Sequence, residues 1–403
     1  MKKVAVIGQG YVGLPIALSA AKGGFDVVGF DTNRDIVENL NAGNSHIADI
    51  QDSLLLSYLE IGCYRATSDP SELSDAEVIV IAVPTPLDSN RNPDLSFLLS
   101  ACKIIGKNLQ VEALIINEST SFPGTLRNII SKQISEVSSK EHLYAISPER
   151  VDPGNRDWKI GNTPRLISGL TDEATRKARQ FYESFCENII EVSTPEVAEA
   201  AKLFENTFRQ VNIALVNELA LISRSLGISV REVLDAADTK PYGFMKFNPG
   251  LGVGGHCIPV DPSYLAFAAR NSGSDADFIE LANKVNLQMP KKIVERIKLE
   301  NYGTLAGKKI LVCGISYKPG VSDVRESPSI ELIKLLRAEG ADVSWHDPVV
   351  ATYDNQTSVL LSGSKYAVTI LAIRHKEMDL DLIAKTADYV FDCLGLIPSA
   401  TQL

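Results

Sequence analysis

Short apolar runs recur in two parts of the chain, at 4–7, 27–31, 78–83 and 113–117 and again at 310–313, 342–345, 367–373 and 389–392. Runs that are continuous rather than alternating predict strands covered on both faces. The helically spaced stretches beside them, 14–23, 328–339 and 379–385, predict the crossover helices of parallel sheets. The middle of the chain differs. Thr194 suits an N-cap and Pro195 a first helical position, and 196–226 has helical periodicity with no internal breaker, which predicts one long helix of roughly 30 residues. The fold class that follows is α/β, with two Rossmann-like doubly wound parallel-sheet domains joined by a helical region with one long central helix. The changes of texture place domains at 1–193, 194–300 and 301–403. Phe208, Val211, Ile213, Leu215, Val216 and Leu219 lie on more than one side of the long helix. A helix apolar on several sides must be buried, so a second copy of the chain is expected against it, at least as a homodimer.

Composition narrows the partners. With 403 residues, 45% apolar and 22% charged, the chain reads as soluble and globular rather than disordered or disulfide-stapled. Fifty acids against 40 bases leave a net charge of −10, a field that concentrates neither nucleic acid nor anionic membrane. The N-terminal apolar run is broken by Gly8 and Gln9, and no later run reaches about 18 apolar residues, so neither a secretory leader nor a membrane span is expected. The six cysteines are scattered without a CxxC pair, which suggests no metal site, no disulfide framework and a reducing, cytoplasmic setting.

Candidate chemistry begins with Gly8-Gln9-Gly10-Tyr11-Val12-Gly13, which follows a predicted strand, opens a predicted helix and has Asp31 at the end of the next strand. The glycines allow a tight turn and close approach of a pyrophosphate to a helix N-terminus. Asp31 would accept hydrogen bonds from a ribose diol and repel a 2′-phosphate, favouring NAD over NADP, while nearby Arg34 keeps NADP open. Two turns follow strand carboxyl ends, where such sheets place ligands: Val83-Pro84-Thr85-Pro86, and the Glu118 to Gly124 segment with Thr120. Ordinary turn chemistry explains either one alone. Lys202, Asn206 and Arg209 share one helical face, a pattern that on spacing alone equally describes a solvated surface. The loop from Phe247 to Pro262 holds four glycines within six positions, which would bare backbone N–H groups to a ligand. It ends at Cys257, with Asp261 four residues on, making Cys257 a candidate nucleophile. The other five cysteines read as small buried apolar residues, and His256 as a loop residue without a role. In the last domain 314–320 follows a strand but lacks GxGxxG, so that domain would bind a nucleotide differently, or not at all.

Taken together, these segments resemble the UDP-glucose/GDP-mannose dehydrogenases, NAD-dependent enzymes that oxidise a nucleotide sugar twice at C6. The resemblance covers essentially the whole chain through GQGYVG with Asp31, VPTP, ESTSFPGT, SPERVDPG (147–154), Lys202 with Asn206, GVGGHCIPVDP, and SYKPGVSDVRESPS (316–329). SPERVDPG resembles the branch acting on UDP-N-acetylhexosamines, of the mannosamine, glucosamine or galactosamine type. UDP-glucose enzymes typically carry PEFLxEG, and Pro153 stands where that pattern has its second Glu. The resemblance implies Cys257 as nucleophile through a thiohemiacetal and a thioester, and Lys202 as the stabiliser of oxyanions. Thr120, Glu149, Asn206 and Asp261 would orient water and relay protons. Arg150, Val151, Lys202, Asn206, Arg209, Phe247, Gly254, Tyr317 and Lys318 match substrate positions. Gly8, Gly10, Tyr11, Val12, Gly13, Asp31, Arg34, Thr85, Thr120 and Arg325 match cofactor positions. The product would be a surface-polysaccharide precursor. One departure is Leu394, where relatives usually carry a cation against the substrate. The competing readings are a UDP-glucose 6-dehydrogenase, a hydroxyacid dehydrogenase, whose single oxidation needs no cysteine, and a non-catalytic NAD-binding regulator, which needs no substrate constellation.

Overall fold

Val4 and Val6 pack into one apolar cluster with Leu14, Ala17 and Val80, while Ala5 and Ile7 pack into another with Ile79, Ile81 and Leu98. Successive strand residues point to opposite faces, so these two clusters are the two coats of one sheet. A computed structural model, describing residues 2–47, 49–151, 155, 157–362 and 365–403, contains that sheet in the first of two units. The units are Met1–Glu205 with Ser263–Ser274, and Asn206–Pro262 with Asp275–Leu403.

In the first unit β1 (Lys3–Ile7), β2 (Asp26–Phe30), β3 (Tyr64–Thr67), β4 (Val78–Ile81), β5 (Leu114–Asn117), β6 (Leu143–Ile146), β7 (Arg165–Gly169) and β8 (Ile189–Glu191) form one sheet. Their spatial order is β3-β2-β1-β4-β5-β6-β7-β8, so the chain reverses direction across the sheet beside β1. Helices Gly13–Lys22, Ser96–Asn108 and Asp172–Tyr182 cover it. The expectation of an all-parallel sheet needs one correction: β7 runs antiparallel to β6. Among the described residues no helix joins those two strands, and a parallel neighbour requires such a crossover.

The second unit contains β9 (Lys309–Cys313), β10 (Asp342–His346), a hairpin of β11 (Thr352–Tyr353) and β12 (Gln356–Thr357), then β13 (Tyr366–Leu371), β14 (Ala387–Asp392) and β15 (Thr401–Gln402). Five of these strands form a wholly parallel sheet in the order β10-β9-β13-β14-β15. Ile310 and Val312 face one core and Leu311 and Cys313 another, so this sheet is also coated on both sides.

The predicted long helix is present as Pro195–Leu226, 32 residues. Its apolar positions divide: Val216 and Ala220 enter the second unit's core, whereas Phe204, Phe208, Leu215, Ile222 and Leu226 are exposed in the single chain. Val211, Ile213 and Leu219 are half-buried. No helix of the described residues is long and apolar enough to cross a membrane.

Candidate active site

In the first unit the glycine turn divides its labour by position. A Cβ on Gly8, whose φ is +91°, would stand 2.5 Å from the Ala82 carbonyl oxygen, and one on Gly13 would stand 1.7 Å from the Gly8 oxygen. Both glycines are therefore dictated by the chain itself. Gly10 differs, with open space where a Cβ would be, which is the room a pyrophosphate needs. No side chain caps the helix that begins at Gly13. The residues fit NAD. Asp31 follows β2 and accepts from the Gln9 and Asn33 N–H groups at 2.8 and 2.9 Å, while Arg34 is exposed at the start of the next helix. Thr85, half-buried beyond β4, has its carbonyl held by the Tyr264 hydroxyl at 3.1 Å.

Beyond β5 the structure brings together residues distant in sequence. Lys202 is buried, and its Nζ donates to Thr120 Oγ1 at 2.7 Å. The solvated-face reading therefore fails at Lys202, although Arg209, two turns on, is exposed. Glu149, almost enclosed, accepts from the Arg150 and Val151 N–H groups at 2.7 and 2.6 Å through Oε1 and from Arg165 at 3.1 Å through Oε2. Burial alone would raise its pKa. The Arg165 guanidinium, the Val151 N–H and the Lys202 charge outweigh burial and hold Glu149 below the ordinary value. It is thus an acceptor and an electrostatic partner of Lys202 rather than a proton donor at neutral pH. Arg150 is tied bidentately to Glu205 and to the Pro164 carbonyl. Of SPERVDPG, the residues Asp152, Pro153 and Gly154 lie outside the described residues.

In the second unit, Cys257 is exposed one turn before the helix Asp261–Asn271, its carbonyl accepting from the Asp261 N–H at 2.8 Å. Of the other five cysteines four are buried and Cys63 is half-buried. Asn206 Nδ2 donates to buried Asp261 Oδ2 at 2.7 Å, linking the long helix to this loop. The reading of the four glycines as a ligand cradle needs correction. Cβ atoms on Gly252, Gly254 and Gly255 would meet the Asn286 oxygen, the Glu326 oxygen and the Tyr317 ring at 2.8, 2.9 and 2.7 Å, so those three are set by the chain's own packing. Only Gly250 has open space. Phe247 packs edge-on against Phe208 with centroids 5.9 Å apart.

Tyr317 and Lys318 stand on a loop that sequence reasoning did not explain. Its support is a buried network: His375 Nδ1 accepts from the Gly320 N–H, and His375 Nε2 lies 3.2 Å from Asp347 Oδ2 and 3.1 Å from Ser316 Oγ. Arg325 is paired with Asp323, which also faces His256 at 3.5 Å, so His256 has a partner after all. Burial opposes ionisation of Asp323, but the His256 and Arg325 hydrogen bonds prevail and hold its carboxyl well below the carboxylate range. At the departure from the family pattern, Leu394 has Arg231 beside it: Arg231 donates to the Cys393 carbonyl at 3.3 Å and fills the space over Gly395.

Sequence reasoning also passed over Arg165. This buried guanidinium lies 2.8 Å from Glu118, 3.1 Å from Glu149 and 4.7 Å from the Tyr182 ring centroid, and Tyr182 donates to Glu118. Burial pushes Glu118 up to about 7 despite the nearby guanidinium.

Comparison with known proteins finds one family along the chain. Three profiles of one family match in series: the NAD binding domain of the UDP-glucose/GDP-mannose dehydrogenase family at 2–186, its central domain at 196–288, and its UDP binding domain at 311–397. A UDP-N-acetyl-D-mannosamine dehydrogenase of Pyrococcus horikoshii is 34% identical over 95% of this chain and 93% of its own. A UDP-N-acetyl-D-glucosamine 6-dehydrogenase of Pseudomonas aeruginosa is 34% identical over 93% and 91%. The solved structure of a UDP-glucose dehydrogenase from Pyrobaculum islandicum superposes with a TM-score of 0.88 at 26% identity, covering 100% of this chain and 96% of that one.

Proposed function

The chain belongs to the UDP-glucose/GDP-mannose dehydrogenase family of NAD-dependent nucleotide-sugar dehydrogenases, and from that premise we propose that it oxidises C6 of a UDP-N-acetylhexosamine, in two steps, to the uronic acid. The observation that carries the proposal is the buried Lys202 ammonium held on Thr120 at the carboxyl edge of the sheet that also bears the dinucleotide turn. Gly8 to Gly13 and Asp31 would hold NAD, which would supply a two-electron acceptor for each oxidation.

The protein's own part follows from residue chemistry. Lys202 stabilises the alkoxide formed as the C6 hydroxyl loses its proton, and the oxyanions of later tetrahedral stages; such a donor is worth about 100-fold to 1,000-fold. Cys257 adds to the C6 aldehyde to give a thiohemiacetal, whose oxidation leaves a thioester. Asp261, held by Asn206, accepts protons beside that cysteine. Water hydrolyses the thioester, releasing the carboxylate and restoring the thiol. Fixed anionic Glu149 and the Thr120 hydroxyl orient that water. Tyr317, Lys318 and Phe247 hold the nucleotide end. Relatives named for mannosamine and glucosamine substrates support an N-acetylhexosamine.

A panel of UDP-N-acetylmannosamine, UDP-N-acetylglucosamine, UDP-N-acetylgalactosamine and UDP-glucose, followed at the NADH absorbance band, tests the proposal. One of the N-acetylated sugars should be turned over fastest, with two NADH per acid formed. Preference for UDP-glucose moves the assignment to the glucose branch, and one NADH per product removes the two-step reading.

A further inference from the structure

We infer that Glu199 is a positioning residue whose buried carboxylate gathers the loop after β5 and holds Thr120 in register with Lys202. The inference rests on the proposed roles of Thr120 and Lys202. Glu199 and Lys202 are three residues apart on the Pro195–Leu226 helix and therefore share a face. Glu199 is 1% exposed. Its Oε1 accepts from Ser121 Oγ at 3.0 Å and from the Leu126 N–H at 3.1 Å, and its Oε2 accepts from the Gly124 N–H at 2.6 Å. One carboxylate thus takes three donors from the segment that carries Thr120, while Lys202 takes the threonine hydroxyl itself. The helix grips the loop at both places.

Asn117 Nδ2 fixes the same loop from the sheet side, donating to the Ser119 carbonyl at 3.0 Å and to Ser121 Oγ at 3.3 Å. The residue type at 199 is informative. Burial opposes a charge there, since desolvation pushes Glu199 up to about 7 even against three donors. A neutral glutamine would avoid that penalty but offers one acceptor oxygen, whereas the loop presents donors to both oxygens. The carboxylate is the group that matches the loop, so its cost is tied to the shape that seats Thr120.

A double-mutant cycle on the full chain, with NAD and the best sugar of the panel, tests this. Glu199→Gln should lower kcat by about 10-fold to 100-fold, the scale of a misplaced catalytic group. In a Thr120→Ala background the same change should cost less than about twofold, because Glu199 acts through Thr120. An equal loss of kcat in both backgrounds, or no loss in either, overturns the inference. Thr120→Ala with wild-type kcat instead removes the catalytic role of Thr120, and this inference with it. Should Glu199→Gln not fold, Ser121→Ala removes one of the three donors alone. Its smaller loss of kcat should likewise vanish in the Thr120→Ala background, and an additive loss overturns the inference.

Discussion

The Gln9 backbone N–H donates to Asp31 Oδ2 at 2.8 Å, so the glycine turn and the acid that ends the next strand are one hydrogen-bonded unit. Asp31→Ala should therefore loosen the turn as well as remove the acceptor proposed for the ribose diol. The KM for NAD should rise about tenfold or more, and the discrimination against NADP should shrink because the repulsive charge is gone. Steady-state kcat/KM with each nucleotide checks this. An unchanged ratio would mean that the ribose partner lies elsewhere.

Cys257 is exposed, so truncating it should leave the fold and its melting temperature unchanged. Cys257→Ala should bind both ligands while acid formation falls by several orders of magnitude. Cys257→Ser should stall after the second oxidation, since an ester hydrolyses more slowly than a thioester. Intact-mass spectrometry should then find the sugar attached to the serine variant. Uronate production by Cys257→Ala near the wild-type rate would sink the thioester route.

Glu118 and Glu199 are both pushed up to about 7 from 4.5 by burial. In the unfolded chain they ionise at the ordinary value, so between about pH 4.5 and 7 the folded state holds more protons. Their contribution to stability must therefore decline as pH rises across that window. Glu149, Asp323 and Asp347 act oppositely: their held-down carboxyls stabilise above the usual carboxylate range and lose that effect only as the solution turns more acidic. Glu118→Gln mimics the protonated acid. Its melting temperature should match wild type near pH 5 and exceed it at pH 8, as calorimetry across that range can read. A variant that gains nothing on moving to pH 8 contradicts the assignment.

Phe204 and Leu215 are 63% and 61% exposed on the long helix, too much apolar surface to leave in water beside Phe208 and Ile222. We expect a homodimer or larger assembly that covers part of this face. Leu215→Glu should shift it toward monomer in solution scattering, while a wild-type monomer at all concentrations would exclude the assembly.

What could be read from the sequence was local. The strand, glycine turn, helix and Asp31 lie within about one βαβ unit, and each has its own signature. The long helix announced itself through Pro195 and an unbroken period. Distant partnerships carried no such signal. Arg165 lies 47 residues from Glu118 and 16 from Glu149, and nothing near it marks it as other than the first residue of a strand. Glu199 looked like an ordinary helical acid because its three donors lie more than 70 residues upstream. The glycine loop misled in the other direction: its glycines signalled close approach, but the approaching group at Gly255 is the Tyr317 ring.

A single buried guanidinium serving two acids makes the three positions of Arg165, Glu118 and Glu149 one unit of inheritance. Loss of Arg165 leaves Glu149 and Glu118 buried without their shared cation, the costliest of the single changes. Loss of Glu118 leaves Arg165 still matched by Glu149, much as protonation of Glu118 already does. Drift through this cluster should therefore be ordered: position 118 becomes neutral before position 165 can change, and a lineage that has replaced the arginine should carry a substituted partner with it.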